Sequence, residues 1–336
     1  MSFINVSHIT KTFKVAKKES GIKATLKNFI KREYKYIEAI KDISFNIEEG
    51  SIVGFIGQNG AGKSTTIKIL SGILLPDSGI VTIDGLIPWK NRKEYVSKIG
   101  VVFGSRSQLW WDIPAEDTFN LLKDIYKIDE SKFEKRKEYL VKLLNIEDII
   151  HVPVRQLSLG QRMRCEIAAS LLHEPKILFL DEPTIGLDAL SKQIVRKFIK
   201  KINKEQKVTV ILTTHDMSDI EALAKRIIIA CRGEIVYDGP LKNLKQKYDH
   251  HKYVTITTNT KLTKLRKKGI ITQEKVQDGY KFKIDSLTLN VSDFLNYLSK
   301  KVNINDLEID NESLDNVIIN LYEESNLWNN IFHFLN

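Results

Sequence analysis

The chain lacks several features that would each have restricted its function class. Its 336 residues include only two cysteines, Cys165 and Cys231, so a disulfide framework of the kind found in small secreted domains is excluded. Each cysteine lies in an apolar stretch, where we expect a reduced core thiol. The longest apolar runs, such as Ile227–Cys231, are far shorter than the ~20 residues of a membrane-spanning helix. The amino-terminal residues MSFINVSHIT lack the charged and then apolar layout of a secretory signal, so we expect a cytoplasmic protein.

The composition is that of a globular protein with an excess of positive charge. Hydrophobic residues make up 42% and charged residues 28% of the chain, and the length suffices for one large α/β domain and a smaller one. The formal net charge of +10 predicts anionic surroundings. Charge alone leaves open whether these are nucleic acid, a membrane face or a phosphorylated ligand.

A glycine-rich stretch between an apolar run and a helical pattern is the strongest chemical signal. It follows Ile52–Ile56, which is typical of a strand, and it leads into a helix over Thr65–Leu70. Its spacing is that of a phosphate-binding loop, in which glycines let backbone N–H groups turn toward phosphate oxygens, Lys63 neutralises phosphate charge and Ser64 can bind Mg²⁺. An ordinary glycine-rich turn is the alternative, and the strand and helix around it argue against that. The residues predicted to bind nucleotide here are Gly57, Gln58, Asn59, Gly60, Ala61, Gly62, Lys63, Ser64 and Thr65.

A second signal opens a helix about a hundred residues later, at Leu157-Ser158-Leu159-Gly160-Gln161. Ser158 and Gln161 have the spacing of a capping box, which is a purely structural interpretation. The same helix start offers a hydroxyl, the N–H of Gly160 and a positive dipole end to a phosphate. The two interpretations are compatible, because a capped and exposed helix start also suits an anion.

Two later strands are each followed by polar residues. Ile177–Leu180 is typical of a strand buried on both faces, and Asp181 and Glu182 follow it, at the sheet edge where open α/β folds bind their ligands. Asp181 fits a Mg²⁺-associated role, and Glu182 fits the positioning or deprotonation of a water molecule. His215 follows another buried strand, from which it could reach a γ-phosphate.

The ordered set GQNGAGKST, LSLGQ, ILFLDEPT, GLD and TTHD resembles the nucleotide-binding domain of ABC ATPases. The resemblance implies a RecA-like phosphate-loop core with an antiparallel β subdomain and an α-helical subdomain over about 104–172. It implies that two such domains pair head to tail around ATP and Mg²⁺, with Ser158, Gly160 and Gln161 acting on the partner's nucleotide. It also implies that Asp188 contributes to the site and that Phe13 stacks on adenine.

The segment after the strand Ile99–Phe103 departs from the family pattern. The family has a glutamine directly after this strand, whereas this chain has Gly104 and Ser105. Either Gln108 contacts the metal and the attacking water, or Ser105 stands in its place. Trp110 and Trp111 lie where the family docks its membrane subunit, although two buried core aromatics would give the same pattern.

The stretch Lys14–Tyr36 is not standard for this family. It contains eight Lys or Arg residues against two Glu, and its apolar residues predict a short amphipathic helix that could contact anionic lipid. The alternative is a solvated surface insertion. With the segment Ile99–Asp112, this insertion resembles the drug and viologen exporter branch of bacterial ABC ATPases. The apolar residues of the predicted helix are Leu26, Phe29, Ile30 and Tyr34.

Beyond Gly239-Pro240 the pattern predicts a small α+β appendage, with strands over Tyr253–Thr257 and Tyr280–Ile284 and a helix over Val291–Leu298. We expect an ABC ATP-binding domain over 1–240 and an accessory domain over 241–336, in which Glu312–Ile318 resembles a C-terminal motif of export ATPases. His250 and His251 have no further ligands at metal-binding spacing and are expected to be exposed loop residues.

The pattern as a whole predicts the ATP-hydrolysing subunit of a membrane exporter. It would act on the cytoplasmic face of the membrane with separate membrane-spanning subunits and a second ATP-binding subunit, identical or different, and no specific nucleic acid is expected. A soluble ABC ATPase acting on nucleic acid or ribosomes, and the ATPase of an importer, are the alternatives.

Overall fold

The structure is a computed structural model that describes residues 2–16, 34–104, 106–248 and 251–324. It divides into two compact units, one up to Gly239 and one from Pro240 onward. The strands are β1 Ile4–Ala16, β2 Tyr34–Ile47, β3 Ile52–Gly57, β4 Ser78–Ile83, β5 Ile99–Phe103, β6 Ile177–Asp181, β7 Thr209–Thr213, β8 Arg226–Cys231, β9 Glu234–Pro240, β10 His251–Thr257, β11 Ile270–Val276, β12 Gly279–Asp285 and β13 Asp306–Asn311. The helices are α1 Lys63–Leu70, α2 Arg92–Val96, α3 Ala115–Tyr126, α4 Glu130–Leu144, α5 Leu159–Ala169, α6 Ala189–Gln206, α7 Met217–Leu223, α8 Leu241–Tyr248, α9 Val291–Ser299 and α10 Leu314–Glu324.

A six-stranded sheet forms the centre of the first unit. Its strands follow the order β5-β6-β7-β3-β8-β9, and β3 lies parallel to β7 and β8, as β6 does to β5 and β7. The apolar residues of β6 and all of β7 are buried, as their unbroken apolar runs predict. Because parallel strands end at the same edge, β3, β6 and β7 bring their carboxyl ends together. Phe55 pairs with Thr213, and Thr213 pairs with Asp181.

A three-stranded antiparallel sheet, in the order β2-β1-β4, adds to this unit. Its first two strands are longer than the sequence pattern indicated. The strand-like sequence Phe3–Val6 overlaps only the start of β1, and the alternating sequence Ile43–Ile47 forms only the end of β2. Alternating buried residues along both strands, including Ile4, Val6 and Ile47, pack this sheet into the same core as β3 and α1.

The ends of the basic stretch continue these two strands. Lys14 pairs with Tyr36 and Ala16 with Tyr34, and the Lys14 ammonium lies 4.0 Å from the centroid of the Tyr34 ring. The prediction that Tyr34 belongs to an amphipathic helix is therefore wrong, because cross-strand pairing overrides its helical spacing. Leu26, Phe29 and Ile30, the rest of that predicted face, lie outside the described residues.

The helices α3, α4 and α5 fill the interval between β5 and β6, as predicted. The spacing of the apolar residues in the second half of α3 predicts that they share one buried face, but the structure buries a different face. It consists of Ala115, Thr118 and Phe119, whereas the predicted face over Leu121, Leu122, Ile125 and Tyr126 is half-buried, with Ile125 60% exposed. The first residues of α3 are buried because they pack against α5. The spacing of the apolar residues alone therefore predicts the wrong buried side of this helix.

The second unit contains a four-stranded antiparallel sheet in the order β11-β12-β10-β13. The predicted strands over Tyr253–Thr257 and Tyr280–Ile284 and the predicted helix over Val291–Leu298 are confirmed as parts of β10, β12 and α9. The helix packs on the sheet, with Phe282 and Phe294 in edge contact at 5.1 Å between ring centroids.

His251 contradicts its predicted place in an exposed loop. It opens β10, its side chain is 18% exposed, and its Nδ1 lies 3.2 Å from the Glu312 carboxylate. The strand draws His251 against the buried Glu312, and His250 lies outside the described residues. Among residues 2–16, 34–104, 106–248 and 251–324, no group of His, Cys, Asp and Glu is arranged to hold a metal ion by itself.

Candidate functional site

The phosphate-loop residues form a turn between β3 and α1 with Lys63 at its centre. The Lys63 side chain is buried, and its ammonium donates to the carbonyls of Gly57 at 2.7 Å and Gln58 at 3.0 Å. Burial lowers the pKa of Lys63, and the carboxylates of Glu182 and Asp181 act in the opposite direction. The loop therefore keeps a desolvated cation at its base, where it acts more strongly on an incoming phosphate than an exposed one would.

The loop backbone explains why glycine is required at Gly62. Gly62 has φ +98°, and a Cβ there would lie 2.6 Å from the carbonyl oxygen of Ala39 on β2. Asn59 and Gly60 are exposed at the turn, Gln58, Ser64 and Thr65 are half-buried, and Ala61 is buried. The backbone donors of the loop and of the first turn of α1 are thus arranged as a helix start that suits an anion.

Asp181, Ser64 and Thr213 meet at the edge of the sheet. The Ser64 hydroxyl donates to Asp181 Oδ1 at 3.2 Å, and the Thr213 hydroxyl donates to the same oxygen at 2.5 Å. A hydroxyl and one carboxylate oxygen are the hard ligands that Mg²⁺ takes when substrate phosphates and water complete its coordination. The residues present therefore fit a Mg²⁺ ion that binds together with a nucleotide.

Glu182 has an unusual backbone conformation at the end of β6. Its φ is +56°, which costs energy for a residue with a Cβ and is concentrated at functional sites. Its N–H donates to the carbonyl of Thr213 at 3.0 Å. The carboxylate Oε1 lies 2.6 Å from Nε2 of His215. The two predicted catalytic side chains are thus brought together, in a cleft of about 240 Å³.

Two charged residues that line this cleft, Lys192 and Asp216, fix the loop that carries His215. Lys192 of α6 donates to Asp216 at 2.6 Å, and Ser218 donates its N–H to the same side chain. Burial raises the pKa of Asp216, but the hydrogen bonds from Lys192 and Ser218 outweigh it and lower the pKa to about 2. The residue therefore remains ionised and keeps its position at neutral pH.

The fully buried carboxylate of Asp219 also holds the loop that carries His215. Asp219 accepts hydrogen bonds from the hydroxyls of Thr184 and Thr214. It also accepts a charge-assisted bond from Arg196 at 2.5 Å. A buried carboxylate with these partners is satisfied, so it links the segment after Glu182 to the segment before His215.

The start of α5 has the capping box that the sequence predicts. The Ser158 side chain accepts from the N–H of Gln161 at 3.3 Å, and the Gln161 side chain accepts from the N–H of Ser158 at 2.8 Å. Ser158 is exposed and Gly160 is buried. The cap therefore exists as a structural feature, and it leaves an exposed hydroxyl at a positive helix end.

Gly160 is required because α6 lies very close. A Cβ at Gly160 would lie 2.4 Å from Oγ of Ser191 and 3.2 Å from Oδ2 of Asp188. Asp188 caps α6 by accepting from the N–H and the hydroxyl of Ser191 at 2.9 and 2.7 Å, and these bonds lower the pKa of Asp188. The predicted site residues Ser158, Gly160 and Asp188 thus lie along one contact between two helix starts.

Gln108 does not bond to the predicted catalytic residues in the described part of the chain. Its side-chain amide donates to the carbonyl of Glu166 on α5 at 2.9 Å. Ser105, the other candidate, lies outside the described residues. Phe13 is 36% exposed on β1, opposite Ile37. These positions leave the proposed roles of Gln108 and Phe13 as predictions.

Sequence reasoning missed the partners that hold these groups. The hydroxyl of Thr213 contacts Asp181, which the sequence analysis did not predict. Asp219 and Glu166 are buried, and each has a partner far away in the sequence, Thr184 and Ser107 respectively, so no local spacing pointed to these contacts. The signal that was available is the polar residue ending β7, since the ends of parallel strands share an edge.

The sheet order and the loop at its edge define the class of the protein, a phosphate-loop nucleotide hydrolase. The family profile described as ABC transporter matches residues 40–185. The chain is 35% identical over 210 residues to the ABC transporter ATP-binding protein NatA of Bacillus subtilis, which covers 62% of this chain and 85% of that protein. The chain therefore belongs to the family of ABC transporter ATP-binding proteins.

Other relatives and a solved structure agree with this assignment. Identity is 36% over 215 residues to the methionine import ATP-binding protein MetN 2 of Enterococcus faecalis, covering 63% of this chain and 62% of that protein. It is 31% over 230 residues to the linearmycin resistance ATP-binding protein LnrL of Bacillus subtilis, covering 68% and 73%. A dimeric ATP-binding cassette in a post-hydrolysis state, bound to ADP and phosphate, superimposes with a TM-score of 0.59, 28% identity and coverage of 71% of this chain and 98% of that one.

These similarities confirm the predicted phosphate-loop fold and make the protein an ABC-type ATPase that binds and hydrolyses ATP. The relatives include a protein named for import and one named for resistance. The direction of transport therefore does not follow from family membership. Within the described residues, every helix is too short or too polar to cross a bilayer.

Proposed function

We propose that the chain is the ATP-hydrolysing subunit of a membrane exporter and energises transport through separate membrane-spanning subunits. The observation that supports a docked partner is the exposure of Trp110 and Trp111, which are 58% and 53% exposed. The alternative of two buried core aromatics does not hold. Neighbouring exposed tryptophans are unfavourable in water and are typical of a surface that a partner covers.

We propose the following roles for the residues of the site. The loop N–H groups and Lys63 bind the β- and γ-phosphates, and Glu182 orients the attacking water and accepts its proton. His215 holds the Glu182 carboxylate in place and lies where it could contact the γ-phosphate. Ser64 and Asp181 would hold Mg²⁺, whose chemistry is to neutralise charge on the phosphate oxygens.

We propose that the complete site needs a second ATP-binding subunit, identical or different. The exposed hydroxyl of Ser158 lies at the positive start of α5, whereas the phosphate loop leads into a different helix, α1, and we propose that this hydroxyl binds the phosphate held by the partner's loop. Gly160, Gln161 and Asp188 lie at the same helix starts and would complete the partner's site. Phe13 is proposed to stack on adenine.

We further propose the domain assignment and the location. Residues 1–240 would form the ATP-binding domain and 241–336 an accessory domain, which the division into compact units at Gly239 supports. The protein would act on the cytoplasmic face of the membrane. The basic stretch over 14–36, whose ends continue β1 and β2, is the part that would contact anionic lipid.

We prefer export over import because the segment Ile99–Asp112, together with the basic stretch Lys14–Tyr36, resembles the exporter branch. A soluble ABC ATPase acting on nucleic acid would also agree with the net charge of +10. The experiment below separates these possibilities.

The test is purification of the tagged chain from detergent-solubilised membranes, followed by mass spectrometry. A stoichiometric membrane-spanning chain is expected, and the double variant Trp110→Ala/Trp111→Ala should lose it while ATP binding by the isolated subunit is unchanged. The control variant Ile271→Ala/Ile309→Ala removes exposed apolar side chains of the second unit and should retain the partner. Recovery of nucleic acid or ribosomes instead would support the soluble alternative.

Direction is tested on inside-out vesicles that contain the complex. With ATP outside, an exporter should load the vesicles with a compound that is absent when Glu182→Gln replaces the wild type. Untargeted mass spectrometry of the vesicle contents identifies it. ATP-dependent depletion instead of loading would indicate import.

A further inference from the structure

The segment from Ser107 to Trp111 is bound to α5 by a buried carboxylate. Glu166, in the third turn of α5, is only 4% exposed. Its carboxylate accepts a short hydrogen bond from the Ser107 hydroxyl and one from the N–H of Gln108 at 3.1 Å. Its backbone carbonyl accepts from the Gln108 side-chain amide at 2.9 Å. One residue of α5 thus fixes two successive residues of this segment.

A second side chain of α5 contacts the same segment one helical turn earlier. The guanidinium carbon of Arg162 lies 5.5 Å from the centroid of the Trp111 ring, within the range of a cation–π contact. Arg162 and Glu166 are four residues apart and therefore lie on the same side of the helix. We call these two residues the α5 clamp.

The α5 clamp is not explained by packing of the helix core. The residues around Glu166 in the helix, Cys165, Ile167 and Ala168, are buried and apolar. Burial raises the pKa of Glu166, and the hydrogen bonds from Ser107 and Gln108 act against this rise. A carboxylate in such a place is unfavourable unless it is hydrogen-bonded, and the donors come from the segment.

The segment connects the two halves of the candidate ATP site. At one end, Phe103 pairs with Asp181, and the N–H of Gly104 donates to the carbonyl of Asp181 at 2.8 Å. At the other end, the α5 clamp attaches the segment to the helix that begins at Ser158. Contacts thus join Asp181 to Phe103 and Gly104 at one side of the segment, and join the segment itself to α5, which begins at Ser158, at the other.

We propose that Arg162 and Glu166 are positioning residues that hold segment 107–111 on α5, and thereby fix the start of α5 relative to the edge of the sheet that binds ATP. The proposal rests on the proposed function, since Ser158 and Asp181 are assigned to the ATP site there. The Trp111 side chain is exposed and contacts Arg162, so a partner bound at this surface would lie against the α5 clamp.

The first test is hydrogen exchange of backbone amides over residues 106–112, measured on the full chain by mass spectrometry. Glu166→Ala should accelerate exchange in this segment by at least about tenfold, because the variant lacks the two hydrogen bonds that the carboxylate accepts from Ser107 and Gln108, which opening of the wild-type segment must break. Glu166→Gln keeps an acceptor for Ser107 but places an amide donor against the N–H of Gln108, and it should give an intermediate rate. This milder variant covers the case in which Glu166→Ala does not fold.

The second test is the steady-state ATPase rate of the same variants. Glu166→Ala should lower kcat by about tenfold with KM for ATP within about twofold, because a misplaced helix start affects the reacting geometry more than nucleotide binding. Arg162→Lys, which keeps the charge but loses the planar guanidinium, should give a smaller decrease of the same kind.

The matched control is Ser170→Ala. Ser170 is buried at the end of the same helix, and its hydroxyl donates within the helix, to the carbonyl of Ile167 at 2.8 Å, rather than to residues 107–111 of the described chain. It should leave exchange over 106–112 and kcat unchanged. Equal acceleration in both variants, or an unchanged kcat in Glu166→Ala, would overturn the proposal. If the proposed function is wrong, the variant Glu182→Gln should remain active. The exchange measurement tests the α5 clamp without requiring ATPase activity, so the two failures can be distinguished.

Discussion

Nε2 of His215 lies 2.6 Å from Oε1 of Glu182, although the two residues follow different strands. The contact arises because β6 and β7 are adjacent and parallel, so that whatever follows them meets at one edge. The φ of +56° at Glu182 turns its side chain into the cleft that His215 lines. A carboxylate held in this way suits the orientation of water near a bound phosphate.

We predict that Glu182→Gln abolishes most ATP hydrolysis and leaves ATP binding intact. The amide cannot accept the proton of the attacking water, and general-base groups typically contribute ~10²–10⁴-fold to a rate. Binding is measured by fluorescence titration and turnover by phosphate release. Glu147→Gln, at an exposed position, is the control and should be silent. A Glu182→Gln enzyme with a near wild-type rate would remove this residue from the catalytic role.

We predict that two inactive variants restore activity when they are mixed. Ser158→Arg should prevent phosphate approach from the partner's site, and Lys63→Ala should weaken nucleotide binding in its own loop. A mixed dimer contains one site with an intact loop and an intact α5 start, so part of the ATPase activity should return. If Ser158 acted only as a helix cap, its replacement would cost about 1 kcal/mol of stability, and Ser158→Arg alone would keep most of its activity. If both single variants are inactive and mixing them restores no activity, the site is not shared between two subunits.

The local motifs were predictable because they depend on short spacings. The glycines around Lys63, the capping box at Ser158 and the buried strand before Asp181 each follow from a few neighbouring residues. Parallel topology then brings Asp181 and Thr213 together by a general rule. These parts of the site therefore follow from the sequence.

The missed parts depend on contacts between distant segments. In the sequence, Glu166 has the pattern of an exposed residue on a helix. In the structure it is buried because the segment after β5 packs over it. Tyr34 has helical spacing, but its partner Ala16 on β1 places it in a strand. The buried side of α3 was misassigned because packing on α5, and not the density of apolar residues, decides which side faces inward.

We predict that Gly160→Ala destabilises the protein by ~1–3 kcal/mol. The new methyl group would lie 2.4 Å from Oγ and 2.9 Å from Cβ of Ser191. The starts of α5 and α6 must therefore move apart. Ser191→Gly removes both overlapping atoms and should recover part of the loss in the double variant. Urea unfolding of the two single variants and the double variant measures the coupling free energy between the two substitutions. Strictly additive effects would show that Ser191 is not the obstacle.

We predict that the charge of Asp216 stabilises the protein in a pH-dependent way. Its pKa falls from the ordinary value of 3.8 to about 2, chiefly because the Lys192 ammonium lies 2.6 Å away and offsets the effect of burial. A carboxyl with a lowered pKa in the folded state contributes stability above pH ~4 and loses it as the pH falls toward 2. Because the side chain is 31% exposed, screening limits the expected contribution to about 1 kcal/mol.

Asp216→Asn tests this contribution, because asparagine still caps the start of α7 and only the charge is removed. At pH 7 the variant should unfold in urea with a free energy about 1 kcal/mol below that of the wild type. The difference should shrink progressively as the pH falls from about 4 toward 2, because the wild-type carboxyl is protonated first in the unfolded state, near pH 3.8, and only near pH 2 in the folded state. Asp148→Asn, at an exposed position without a resolved ion pair in the described chain, should show no such difference at any pH. A gap between Asp216→Asn and the wild type that stays constant from pH 7 to pH 3 would mean that the amide is deficient as a cap, and that the ion pair with Lys192 adds no stability.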